Sequence, residues 1–115
     1  MRARLLMVVL TMIGSTALAA PAGKLARCAI QTGDGAYAGP CLFLLGPKGS
    51  FGLEAAKTRR LVGAITSLSV EMVGPNVAEV RGLTLDGINS RWGEAKRSKR
   101  DPACWQGSDF SVCVY

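Results

Sequence analysis

The chain has 115 residues, 49% of them hydrophobic, with 14 Lys and Arg against 8 Asp and Glu, a formal charge of +6 and no histidine. A chain of this length builds one small core and not two. Without histidine, Ser-His-Asp and Cys-His catalysis and the common zinc sites are excluded.

The first residues have the pattern of a secretory signal. Arg2 and Arg4 form a basic start, and Leu5 to Ile13 (LLMVVLTMI) is a mostly apolar run too short to span a bilayer as a helix. Small residues follow from Gly14, and Ala17-Leu18-Ala19 reads as a cleavage box, with Pro21 one residue beyond the first residue left. The pattern predicts a signal peptide over 1–19 and a single secreted β domain over 20–115. That leaves 115 − 19 = 96 residues, and 12 Lys and Arg against 8 acids, a mature charge of 12 − 8 = +4. No later segment is long and apolar enough to span a membrane. Leu25-Ala26-Arg27-Cys28 has part of a lipidation motif, but Arg27 replaces its small residue, and lipidation of Cys28 would leave three thiols.

Four cysteines in an exported chain should pair. They allow three connectivities. Local geometry weights them. Asp34-Gly35 lies midway between Cys28 and Cys41 and suits a two-residue hairpin loop. Counting outward from it sets Cys28 opposite Cys41 on a non-hydrogen-bonded rung, where α-carbons approach to ~4.5 Å. The same count from Ser108-Asp109 sets Cys104 opposite Cys113. The expected disulfides are therefore 28–41 and 104–113, each closing its own hairpin. Pro40 resists: this register puts it on a hydrogen-bonded rung with no N–H to donate, so Gly39-Pro40 reads as a bulge or an edge.

The rest of the chain also reads as β. Cys41 to Leu45 and Ser50 to Ala55 flank the turn Gly46-Pro47-Lys48-Gly49. From Leu61 to Val73, Val62, Ala64, Leu68, Val70 and Met72 alternate with Gly63, Ser67, Ser69 and Glu71, a half-buried strand that Gly63 or Thr66 bends. Gly74-Pro75-Asn76 ends it. Val77 to Thr84 alternates again, Leu85-Asp86-Gly87 turns, and Ile88 to Trp92 is a further strand. Gly93 to Asp101 reads as a basic loop or one helical turn, and Pro102–Gln106 with Phe110–Tyr115 forms the last hairpin. Seven or eight short strands with regular turns predict a mostly β fold, a small antiparallel barrel or sandwich stapled by disulfides.

Catalytic chemistry has little foothold. Oxidised cysteines supply no thiolate nucleophile. Gly33-Asp34-Gly35-Ala36-Tyr37-Ala38-Gly39 partly imitates a dinucleotide fingerprint, but it lies between hairpin strands and opens no helix. Gly46 to Ser50 lacks the spacing of a phosphate loop. The carboxylates Asp34, Glu54, Glu71, Glu79, Asp86, Glu94, Asp101 and Asp109 show no spacing that nominates a pair. The expectation is a protein that is not an enzyme, with no cofactor and no metal.

Two basic clusters remain. Lys57, Arg59 and Arg60 precede the long strand, and Lys96, Arg97, Lys99 and Arg100 lie between Trp92 and Trp105. They are the candidate binding residues, together with Trp92, for an anionic partner such as lipopolysaccharide, nucleic acid or an acidic protein surface. The bland reading is solvated loop charge. Trp105 adjoins a cysteine and reads as core, whereas Trp92 divides evenly between core and binding surface.

The tail DPACWQGSDFSVCVY, residues 101–115, resembles the ends of small exported, disulfide-containing alphaproteobacterial proteins, which read roughly ACW and then an (I/V)CA(W/Y)-like close. Gly39-Pro40-Cys41-Leu42-Phe43 and Gly49-Ser50-Phe51 are similar to their G-x-C-x-F and G-x-F elements. About a third of the mature chain is covered. The resemblance implies a bacterial periplasmic origin and the cysteine pairing, and it carries over no catalytic residue. The functional expectation is a periplasmic or secreted binding protein, inhibitor-like or envelope-associated, with a periplasmic or extracellular protein as partner. The alternative is a binder of anionic envelope polymers through the basic loops, and the remote one a carboxylate-dependent hydrolase.

Overall fold

The structure is a computed structural model that describes residues 7–11, 14 and 23–115. Arg2, Arg4 and the expected cleavage box at Ala17-Leu18-Ala19 lie outside the described residues. Of the apolar run, Met7 to Leu10 is exposed and in no helix or strand.

Eight strands follow one another as an antiparallel meander: β1 (Lys24–Thr32), β2 (Gly35–Leu45), β3 (Phe51–Ala55), β4 (Ile65–Gly74), β5 (Val77–Thr84), β6 (Asn89–Arg97), β7 (Cys104–Gln106) and β8 (Ser111–Val114). A short 3-10 turn, Pro47–Gly49, joins β2 to β3. β8 returns to pair with β1, Cys28 opposite Val114 and Ile30 opposite Val112, so the sheet closes into a barrel. Mutual hydrogen bonds between Arg27 and Tyr115 (3.0 and 2.8 Å) extend that seam to the chain terminus. Of the two expected architectures, the chain adopts the barrel.

Alternation fills the interior. Ile30, Leu53, Leu68, Val70, Val80 and Val112 are almost wholly buried, each contributing about 1.5–3 kcal/mol from apolar burial. No polar or charged side chain is buried among the described residues. Small residues meet where β5 and β6 approach, Ala78 opposite Ala95. Near one end of the barrel the Phe110 ring occupies the place where a Cβ on Gly107 would stand (2.2 Å to Cε1), so glycine there is a packing requirement.

The disulfides are 28–41 and 104–113, the expected pairs, leaving no free cysteine. They suggest an oxidising, non-cytoplasmic environment. Cys104 does face Cys113 directly, with α-carbons 4.0 Å apart. The first hairpin differs from its expected register. Thr32 pairs with Gly35, so the loop is Gly33-Asp34 and not Asp34-Gly35. The Thr32 hydroxyl organises it, accepting from the Asp34 amide (3.3 Å) and donating to the Gly35 carbonyl (3.2 Å). Cys28 consequently faces Gly39 and Cys41 faces Ala26, and the disulfide runs diagonally over 5.8 Å between α-carbons. This slip also accommodates Pro40. It falls opposite Arg27, whose backbone groups bond Tyr115 on the other side, so that rung needs no donor from proline.

Two other boundaries moved. The expected strand from Leu61 starts at Ile65. Leu61 and Val62 are consecutive and both buried, which no period-two strand allows. Gly63 turns the chain there with φ +55°, and a bulge falls at Thr66, between Ile65 and Ser67. The expected loop from Gly93 is strand as far as Arg97. Gly93 faces Val80 and Arg91 faces Arg81, so Trp92 is the extra residue of a bulge, and Gly93 at φ +117° makes the bulge without ending the strand.

The staples face opposite ways. Cys28 and Cys41 lie within the core at 0% exposure, whereas Cys104 and Cys113 share the outward side of β7 and β8 and keep 6% and 9%. Native-state reduction with a mild thiol, followed by pulsed alkylation and mass mapping, is expected to open 104–113 well before 28–41. Simultaneous labelling of all four cysteines would show instead that reduction requires global unfolding.

Candidate functional site: the two ends of the barrel

A closed meander has two ends of different character. The β1–β2, β3–β4, β5–β6 and β7–β8 connections gather at one, here the hairpin end. The remaining connections gather with Gly23 and Tyr115 at the other, the terminal end.

The two basic clusters fall at opposite ends. Lys57, Arg59 and Arg60 are exposed on the long β3–β4 connection at the hairpin end. The burial of Leu61 and Val62 anchors that connection, and the Leu85 amide, bonded to Ala64 O at 3.0 Å, ties it to the neighbouring turn. Arg59 and Arg60 border a shallow cavity of about 540 Å³ with Thr58 and Leu85. Lys96 and Arg97 close β6, and Lys99 and Arg100 project from the β6–β7 turn at the terminal end. Ser98 and Asp101 shape this turn: the Ser98 hydroxyl accepts from the amides of Arg100 (3.2 Å) and Asp101 (3.3 Å), and the Asp101 carboxylate accepts from Ala103 (3.1 Å). Ion pairs among the described residues converge on Glu79, which takes Arg91 at 2.5 Å and Arg81 at 3.4 Å. The hydrogen bond from Arg91 and the charges of both arginines hold the Glu79 carboxyl below its usual range. None of the seven predicted basic residues is neutralised in this way.

The tryptophans separate as well. Trp105 is core, 3% exposed, as read from the sequence. Its neighbour across the β6–β7 pairing is Arg97, whose guanidinium carbon stands 5.2 Å from the indole centroid, within cation–π range. Trp92 belongs to the hairpin end. It meets Phe110 edge-on at 5.5 Å and lies against Gly82, where an added Cβ would come within 2.8 Å of the indole nitrogen. Trp92 and Phe110 line a second opening of about 540 Å³ at that end, bordered by Asp34, Asp109 and Arg91.

The terminal end holds a surface the sequence did not nominate. Its mouth encloses about 520 Å³ between Phe43, Leu45, Phe51, Arg97, Trp105 and Tyr115. Phe43 and Phe51 pack at 5.1 Å, and Leu45 is 74% exposed. These residues come from four strands and the C-terminus, so only the closed topology assembles them. Inward–outward alternation was the available signal, because Phe43 and Leu45 continue the inward series of Cys41.

No family model, no curated protein and no solved structure matches the chain. Among the described residues no helix is long and apolar enough to cross a membrane, and no three Cys, Asp or Glu side chains converge as a metal site would need.

Tyr115 donates its hydroxyl to Asp101 at 2.5 Å, and that bond raises the phenol above its ordinary value. A raised folded-state value favours the protonated phenol, so its stabilising effect is present below the unfolded value of ~10 and fades as pH rises past it. In urea unfolding, the stability difference between the natural protein and Tyr115→Phe is expected to hold steady near neutral pH and shrink above about pH 10. A difference that grows with alkaline pH would contradict the bond.

Proposed function

We propose that the protein is a small non-catalytic binding protein of a bacterial periplasm or secreted space, related to the exported alphaproteobacterial proteins its tail resembles. It meets its partner through the ends of the barrel. The observation that carries this reading is the contrast between interior and ends. The interior is filled with apolar side chains and, among the described residues, buries no polar side chain, whereas each end presents cations that no Asp or Glu of the described residues pairs with. The exposed apolar run at Met7 to Leu10, outside the barrel, is in keeping with a removable export signal.

Two partner classes divide the reading. An inhibitor-like or envelope-associated protein docks a folded partner at one end. The analogy with periplasmic lysozyme inhibitors rests on size, compartment and β content, and the mature charge of +4 works against a cationic lysozyme target. A binder of lipopolysaccharide or nucleic acid needs a continuous basic track. The separation of the clusters to opposite ends favours the protein partner. A carboxylate-dependent hydrolase would have to rely on Asp34 and Asp109, which border the same opening but are both exposed on separate turns.

The mature protein immobilised in envelope extract, at low and high salt, tests the reading. Capture of one protein, abolished by neutralising either the Lys57–Arg59–Arg60 set or the Lys96–Lys99–Arg100 set but not both, is the expected outcome. Capture of anionic polymer, lost in proportion as either set is removed and falling steeply with salt, would replace it with the second reading.

A further inference from the structure

The mouth at the terminal end has a chemistry more specific than general basic charge. Beyond the packed core, the inward-facing series of β1, β2, β3 and β6 continue to the rim, and there they present Lys24, Phe43, Leu45, Phe51 and Arg97. Interior positions at a rim end in either polar residues that meet water or apolar residues that await cover. This rim has apolar ones, accompanied by two cations and, among the described residues that line it, no Asp or Glu side chain. Asp101, the acid nearest in sequence to the mouth, is engaged by the Tyr115 hydroxyl and the Ala103 amide. The Arg97 guanidinium carbon stands over the Trp105 ring at 5.2 Å, which holds the cation at the mouth, and no side-chain hydrogen bond among the described residues takes its N–H groups. The volume of about 520 Å³ lies within the range of small-molecule sites, ~300–1,000 Å³. The next inward positions, Leu53 and the Cys28–Cys41 disulfide, are fully buried in the core, so a ligand lies within the mouth and does not thread the barrel.

We propose that this mouth binds monomeric single-chain anionic amphiphiles: a hydrocarbon tail against Phe43, Phe51 and Leu45, and a carboxylate or phosphate head on Arg97 and Lys24. Area and charge select together. A short anion lacks the apolar contact, and a neutral amphiphile leaves the two cations unanswered. The inference deepens the binding-protein reading by naming a ligand for one of the two ends.

Dodecanoate below its aggregation concentration is the probe, followed by titration calorimetry and by the emission of Trp105 beneath Arg97. Acetate, dodecyl maltoside and vesicles of anionic phospholipid are the comparison arms. One dodecanoate is expected per protein, with no measurable acetate binding and dodecyl maltoside weaker by about tenfold or more. Arg97→Gln is expected to weaken dodecanoate about tenfold while keeping the melting temperature, and Leu45→Ser, at an exposed position, to weaken it several-fold through lost apolar contact alone. Equal affinity for dodecyl maltoside, unchanged affinity in both variants, or binding to vesicles without binding to the monomer would overturn the proposal. Absence of dodecanoate binding with a protein still captured from extract overturns this inference and leaves the partner reading standing. Dodecanoate bound with nothing captured does the reverse.

Discussion

The pairing of β8 with β1 is the constraint on which the rest of the molecule depends. Without it the meander has two open edges and an interior exposed along one side. With it, the inward positions of all eight strands enclose one apolar core, and the two ends become the places where loops and rims gather. The closing strand is short, Ser111–Val114, and its other neighbour β7 has three residues. A two-stranded hairpin of that size is marginal by itself in water. Its stability comes from the seam with β1 and from the covalent link between Cys104 and Cys113.

That places the disulfides in a different light from simple local staples. Each lies within one hairpin, so neither crosses the barrel. Yet the hairpins they fasten, β1–β2 and β7–β8, are the two that meet at the seam, where Ala29 faces Cys113 and Cys28 faces Val114. In the chain-entropy description, loops of this size are each worth roughly 2.5–3 kcal/mol, gained through the unfolded state. Here both contributions fall on the elements whose alignment closes the barrel. The inner bridge also serves as core volume, whereas the outer one holds the terminal strands from the surface.

Much of this was legible in the sequence, and the failures are instructive. Period-two alternation identified β strands, and counting from Ser108-Asp109 set Cys104 opposite Cys113 correctly, because that hairpin is closed by a simple two-residue loop. The same count failed by two residues at Cys28. A slip of two leaves every side chain on its original face, so alternation does not detect it. The deciding features were the Thr32 hydroxyl, which favours a loop at Gly33-Asp34, and Pro40, whose missing N–H already disagreed with the expected rung. The second half of β6 was hidden because its inward residues are Ala95 and Arg97, neither of which reads as core. Trp105 was recognised as core from its neighbouring cysteine. The terminal-end mouth was not recognisable, since Phe43, Phe51 and Arg97 are distant in sequence and meet only when the sheet is closed.

Both ends of the molecule depend on this closure, because an open sheet has no mouth at either end. Cross-strand contacts in solution measure it most directly. Alternation along the seam from the mutually bonded Arg27 and Tyr115 makes Cys28–Val114 and Ile30–Val112 the non-hydrogen-bonded rungs, where α-protons approach closely. Nuclear Overhauser contacts between the α-protons of Cys28 and Val114 and of Ile30 and Val112 in the oxidised protein, with slow amide exchange at Arg27 and Tyr115, are the predicted result. Absence of both contacts, with those amides exchanging as freely as in an unpaired strand, would contradict the closed barrel and everything drawn from its ends.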